Sequence, residues 1–201
     1  LLMFWCSTCV IAQDWQMLPS FPGVERDDAT GFVIDGDLYV GTGLSPWWSA
    51  LADFYRYQSA TNQWVNTAPL PSGAERQYAS GFTLNASGYI FGGYNGTEYL
   101  NDLWRYDPSA DVWFLEDSLP SFGRSGSASF VLNNRLYLMG GKHLGGAATD
   151  EVWTFDPLNS GWNQEAAFPF GSFWRASACS YNGKGYLLFG RDEHNQFQHG
   201  F

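Results

Sequence analysis

Tryptophan recurs at Trp15, Trp64, Trp113 and Trp162, every step 49 residues, and each is followed seven residues later by proline, at Pro22, Pro71, Pro120 and Pro169. Only 10 of the 201 residues are tryptophan, so three further hits at preset spacings would arise by chance roughly once in ten thousand trials. The chain is therefore a repeat of one structural unit. A unit of about 50 residues buries its apolar faces only against copies of itself, which calls for an array.

A second series runs between the tryptophans. "GFVIDGDLYVGTG" (Gly31 to Gly43), "GFTLNASGYIFGG" (Gly81 to Gly93), "SFVLNNRLYLMGG" (Ser129 to Gly141) and the looser "CSYNGKGYLLFG" (Cys179 to Gly190) each join two β-prone runs through a polar pair or triplet. That is the pattern of a hairpin. The closing glycines Gly43, Gly93, Gly141 and Gly190 lie 50, 48 and 49 residues apart. In the second unit the alternation predicts four strands, "YASGFTL", "GYIFGG", "DLWRYD" and "DVWFLE", termed a to d in order along a unit. Tyr57, Tyr106 and Phe155 each stand seven residues before their tryptophan, so every unit carries one aromatic on strand c and another on strand d. Rings at those positions can fill the wedge between neighbouring sheets. Gly43, Gly92, Gly93, Gly140, Gly141 and Gly190 end strand b, where positive φ and close backbone approach are expected. Short strands in sheets of four, repeated at this period, predict a β-propeller.

Composition suits that fold and excludes some functions. Apolar residues make up 45% and aromatics 18%, against only 15% charged, which fits short strands with wide buried faces. The formal charge of −10 argues against nucleic acid or an anionic membrane as the main partner, since both would be repelled. The first twelve residues, "LLMFWCSTCVIA", are uncharged and too short to span a bilayer, and Val10 with Ala12 supplies a small-residue cleavage pattern before Gln13. They read as the remnant of an export signal, or else as a buried first strand, and the former predicts an exported protein. Without them only Cys179 remains, and one thiol forms no internal disulfide. His143, His194 and His199 share no repeat position, and "DEHNQFQH" has metal-compatible residues without a recognised ligand spacing. No metal site and no cofactor are expected.

The units resemble Kelch repeats. The likeness rests on the pairs Gly92–Gly93 and Gly140–Gly141, the strand c aromatic, the strand d tryptophan, and an arginine opening strand a at Arg26, Arg76, Arg124 and Arg175. It covers residues 15 to 190, with departures at Thr42 and Phe189, which replace the first glycine of the pair, and at Arg175, which stands two residues closer to its tyrosine than the others. The resemblance implies an all-β Kelch-type propeller of four-stranded blades, closed by pairing the N-terminal strand with the last blade. On that plan residues 13–25 are a closing strand d, 26–73, 74–122 and 123–172 are three blades, and 173–201 a partial fourth. About three and a half blades of a six- or seven-bladed ring are expected, because the text ends where the fourth strand c should begin.

Antiparallel geometry puts the d to a and b to c connections on one face, together with the four arginines and with Leu44, Tyr94, Lys142 and Arg191 just after each strand b. Kelch adaptor proteins bind acidic peptides through arginines and tyrosines at such positions. The resemblance therefore offers Arg26, Arg76, Arg124, Arg175 and Tyr94 as contacts to an acidic peptide or glycan, gripped by guanidinium forks. The alternative is that each arginine holds backbone carbonyls or Asp27 and Asp28. In "LSPWWSALAD", Trp47 and Trp48 lie outside the repeat's aromatic positions and cannot both face a sheet interior. One is expected at the surface, for sugar stacking or a protein contact, unless it packs on the next loop. "FPGVERDDATGFVIDGDLYVG" also resembles the early blades of sialate mutarotases, so an enzyme acting on an acidic sugar stands beside the binding module. The copper, cross-linked tyrosine and paired histidines of galactose-oxidase-like enzymes have no counterpart here. No catalytic residue is assigned.

Overall fold

The computed structural model describes residues 17–159 and 161–197; the opening segment 1–12, Trp15 and His199 lie outside the described residues. The first sheet contains β1 (Thr30–Ile34), β2 (Asp37–Gly41), β3 (Phe54–Gln58) and β4 (Gln63–Thr67). The second contains β5 (Ser80–Leu84), β6 (Ser87–Tyr94), β7 (Tyr99–Asp107) and β8 (Val112–Ser118). The third contains β9 (Ala128–Leu132), β10 (Arg135–Met139), β11 (Val152–Asp156) and β12 (Gly161–Gln164), and β13 (Ser177–Tyr181) pairs with β14 (Lys184–Leu188). Every sheet is antiparallel, with its strands adjacent in sequence order. No α-helix occurs among the described residues, which carry one 3₁₀ turn at Leu144–Gly146. The chain is an all-β propeller array.

The hairpins between strands a and b share one solution. Asp35–Gly36, Asn85–Ala86, Asn133–Asn134 and Asn182–Gly183 all have positive φ at both residues, the turn whose twist matches that of the flanking strands. Strands β1, β5, β9 and β13 lie against one another in succession, so strand a of each sheet is innermost around a common axis.

Between the sheets sit three apolar cores. The first joins Phe32, Tyr39 and Phe54 to Tyr106 and Trp113; the second joins Phe82, Tyr89 and Phe91 to Leu138 and Phe155; the third joins Ala128 and Met139 to Phe173 and Leu187. The tryptophan ladder lines these seams. Trp113 packs on Phe54 of the preceding sheet at 5.0 Å and on its own strand c Tyr106 at 5.0 Å, while Trp162 meets Phe91 at 5.5 Å and Phe155 at 5.0 Å. Its indole N–H reaches backward: Trp113 Nε1 donates to Ala68 O at 2.9 Å and Trp64 Nε1 to Pro19 O at 3.0 Å. Trp162 Nε1 is buried without a partner.

The closing strand expected over 13–25 lies partly outside the described residues, and its described part, 17–25, is not a strand. Among the described residues no strand pairs with it to complete a ladder. It serves instead as a cover for the first sheet, with Phe21 edge-on to Tyr55 at 4.8 Å and to Trp64 at 5.3 Å.

The two departures from the glycine pair prove to be backbone matters. Thr42, Gly92, Gly140 and Phe189 have φ of 57°, 59°, 63° and 62°, all left-handed. Threonine at such a φ is strained, and Thr42 is also fully buried with an unpartnered hydroxyl.

Candidate ligand-binding mouth

The first three arginines of the series face the protein, not a ligand. Arg76 is fully buried: its Nε donates to Ala74 O at 2.9 Å, Nη1 to Gly92 O at 3.0 Å, and the two Nη atoms grip Asp102 at 2.7 and 2.8 Å. Arg26 repeats the arrangement on Val24 O, Thr42 O and Asp53. Arg124 repeats it on Phe122 O and Glu151, with Nη1 left unpartnered. The acid is further held two residues on, by Trp104 Nε1 on Asp102 at 2.6 Å and by Trp153 Nε1 on Glu151 at 2.8 Å. The guanidiniums thus tie the start of each strand a to the start of its own strand c, and they offer no free fork to a carboxylate. This corrects the expectation of an arginine ring gripping a ligand. The signal was present in the sequence: the acids Asp53, Asp102 and Glu151 keep the same 49-residue step as the tryptophans.

Burial is the largest influence on Arg124 and pushes its pKa down. For Glu151, burial acts upward, but the hydrogen bonds from Arg124 and Trp153 prevail and hold the carboxyl below its usual range.

Arg175 is not the fourth member. The backbone N–H groups of Gly43, Gly93 and Gly141 donate to Arg76 O, Arg124 O and Phe173 O, which makes Phe173 the equivalent of the buried arginines. Arg175 is equivalent to Asp28, Tyr78 and Gly126. Those four residues all have left-handed φ, and each of the last three passes a backbone hydrogen bond to the one before: Tyr78 N to Asp28 O, Gly126 N to Tyr78 O, Arg175 N to Gly126 O. They form the innermost step of the array. Across it Arg175 Nη2 reaches Asp28 Oδ1 at 2.9 Å, with its guanidinium 4.6 Å over the Tyr78 ring. Burial foremost, and then the hydrogen bond to the Asp28 carboxylate, push the Tyr78 phenol up.

Above this floor the two sets of connections meet. Gln77 bridges to Tyr94, Ser125 to Lys142 and Trp174 to Arg191 as equivalent pairs, setting the chain that follows the glycines of each strand b beside the entry to strand a. They open a cleft of roughly 440 Å³ in which Tyr94, Tyr99 and Trp174 supply rings and Gln77, Ser125 and Lys142 polar groups. Lys142 Nζ lies 4.4 Å over the Trp174 ring, a half-buried cation held against an aromatic face. Tyr94 packs against Tyr99 with tilted rings 4.9 Å apart and donates its hydroxyl hydrogen to Gly96 O at 2.7 Å. Cation, rings and hydroxyl-bonding groups in one cleft can hold a small carboxylate-bearing molecule. Trp47 and Trp48 both stand at the surface, 73% and 85% exposed, and only Trp48 borders the cleft. His143 packs against Phe122 with tilted rings and His194 sits on an exposed turn beside Glu193. Sequence reasoning set Lys142 at the mouth without naming it a contact, and missed Trp174, whose spacing marks no ladder.

Residues 10–190 match the model of the KLHDC2/KLHL20/DRC7 Kelch-repeats domain. The chain belongs to this Kelch-repeat family. Among curated proteins, the Kelch chain is 37% identical over 86 residues to the N-acetylneuraminate epimerase of Shigella sonnei (strain Ss046), a match covering 40% of this chain and 23% of that protein. It is 36% identical over 86 residues to the epimerase of Escherichia coli (strain K12), with the same shares covered. The solved structure of YjhT superposes with a TM-score of 0.79 at 23% identity, covering 89% of this chain and 63% of that one, which establishes the propeller fold. The Kelch chain thus spans under a quarter of the length of the curated relatives it matches. Among the described residues no helix is long and apolar enough to cross a membrane.

Proposed function

We propose that the mouth around Lys142 and Trp174 binds a carboxylate-bearing sugar of the sialic-acid class. The observation that carries this reading is the lysine held over a tryptophan face inside an aromatic cleft. The ammonium meets the carboxylate and the neighbouring rings take the sugar's apolar face. A cleft of roughly 440 Å³ suits a monosaccharide better than an extended acidic peptide, which would need a longer groove. Similarity to N-acetylneuraminate epimerases supports the same ligand class.

The test is calorimetric titration of the full chain with N-acetylneuraminate and with its methyl ester, which keeps the ring and removes the charge. The acid is expected to bind at least about fivefold more tightly than the ester, the effect of about 1 kcal/mol for a half-exposed ion pair. Equal affinity for the two, or none for either, refutes the reading.

A second reading, that the whole protein interconverts anomers of such a sugar, is favoured by the 37% identity over 86 aligned residues to an N-acetylneuraminate epimerase. Its test is the rate of anomer exchange of N-acetylneuraminate followed by proton NMR; no acceleration over buffer removes it.

A further inference from the structure

Trp48 has a φ of 61° and leaves 85% of its surface in solvent. Left-handed backbone strains a bulky residue, and an exposed indole gains nothing from burial, so neither feature helps the fold. The loop nevertheless holds the residue in place. Trp48 N donates to Ser45 O at 3.0 Å, Ser45 N to Ser49 O at 3.0 Å, and Ser49 N to Ser45 Oγ at 3.2 Å. A ring kept at the surface at a cost to the backbone points to something that stacks on it.

Two clefts meet at this ring. One is the mouth; the other, roughly 200 Å³, shares Leu44 and Trp48 with it and is walled by Glu25, Asp27 and Ser45. Their chemistry differs. The mouth carries Lys142, whereas the second cleft carries two carboxylates and a hydroxyl. Arg26 also borders it, but its guanidinium is engaged by Asp53 and offers no charge. Carboxylates accept hydrogen bonds from sugar hydroxyls and repel a second anion.

We infer that the mouth takes an acidic sugar joined to a neutral one, with the Trp48 ring as the platform for the neutral ring and Glu25 and Asp27 accepting from its hydroxyls. This extension rests on the reading of the mouth given above. It makes the ligand a terminal acidic residue on a neutral glycan, in preference to the free acid or a chain of acidic sugars, and since a linked acid has no free anomeric hydroxyl it extends the binding reading and stands against the anomer-exchange one.

The experiment compares three probes on the full chain: N-acetylneuraminate, its disaccharide with galactose, and the disaccharide of two sialic acids. The galactose disaccharide is expected to bind about tenfold more tightly than the monosaccharide, the worth of one ring stack. The doubly acidic disaccharide should gain nothing. Trp48→Gly removes the platform while accepting the left-handed backbone, so the loop persists, as an unchanged or raised thermal midpoint verifies. In that variant the tenfold ratio is expected to fall toward one. Equal binding of mono- and disaccharide by the native chain, or a ratio that survives Trp48→Gly, overturns this inference and leaves the mouth reading standing. Failure of all three probes to bind overturns both.

Discussion

Replacing Arg76 by alanine should damage the fold and leave the ligand's chemistry untouched. The substitution removes four hydrogen bonds at once, to Ala74 O, Gly92 O and both oxygens of Asp102. It also leaves Asp102 without its counter-ion. Breaking a buried pair from one side costs about 3 to 5 kcal/mol. The Asp102 side chain is 22% exposed and keeps its Trp104 bond, so water and the indole can compensate in part, and the lower end, about 3 kcal/mol, is expected. In urea, with a slope of about 2 to 3 kcal/mol/M for a chain of this size, the midpoint should fall by roughly 1 to 1.5 M. The assay is tryptophan fluorescence against urea for the native chain, Arg76→Ala, Asp102→Ala and the double variant. The double variant should lose less than the sum of the singles, because the second removal leaves no charge stranded. A stability loss under 0.5 kcal/mol for Arg76→Ala, together with weakened binding of acidic sugars, would restore the arginine to the ligand and refute this account of it.

Thr42→Gly should stabilise the protein by about 1 kcal/mol, since it removes a strained φ and an unpartnered buried hydroxyl together; a lowered thermal midpoint would contradict this. Asp28→Asn should release Arg175 toward the mouth and raise affinity for N-acetylneuraminate about two- to fivefold in the calorimeter, modest because Arg175 is 40% exposed; an unchanged or lower affinity speaks against it. Glu151 has a folded pKa below its ordinary 4.5, so its stabilising share is complete above that value and is lost as pH falls through the folded pKa. Glu151→Gln should therefore lie below the native chain in thermal midpoint near neutrality, and the gap should close below about pH 4.5. A gap constant from pH 7 to 3 would show that the carboxylate's charge plays no part.

The succession of four-stranded sheets was legible because its determinants are local and repeated. An indole at every 49th residue recurs only if the same seam recurs, and the turn-forming asparagines Asn85 and Asn133 announce their turns without tertiary help. The site was less legible. Arginine beside a mouth reads alike whether it points outward or folds back onto an acid 26 or 27 residues later, and only the strand register separates the two. The Arg175 series failed for a related reason. A shift of two residues preserves strand alternation, so periodicity admitted it, although it moved the side chain from the buried seam to the axis. Trp174 and Lys142 come together from different loops, and no spacing within a unit encodes that encounter.

The central claim, that the axial mouth holds an acidic sugar, is tested most directly by indole signals in a proton–nitrogen NMR spectrum. On titration with N-acetylneuraminate the Trp174 indole resonance is predicted to shift progressively, while those of Trp113 and Trp153, sealed in the seams, stay in place. A spectrum in which Trp174 remains still as the sugar is added, or in which only the seam tryptophans move, would contradict the claim.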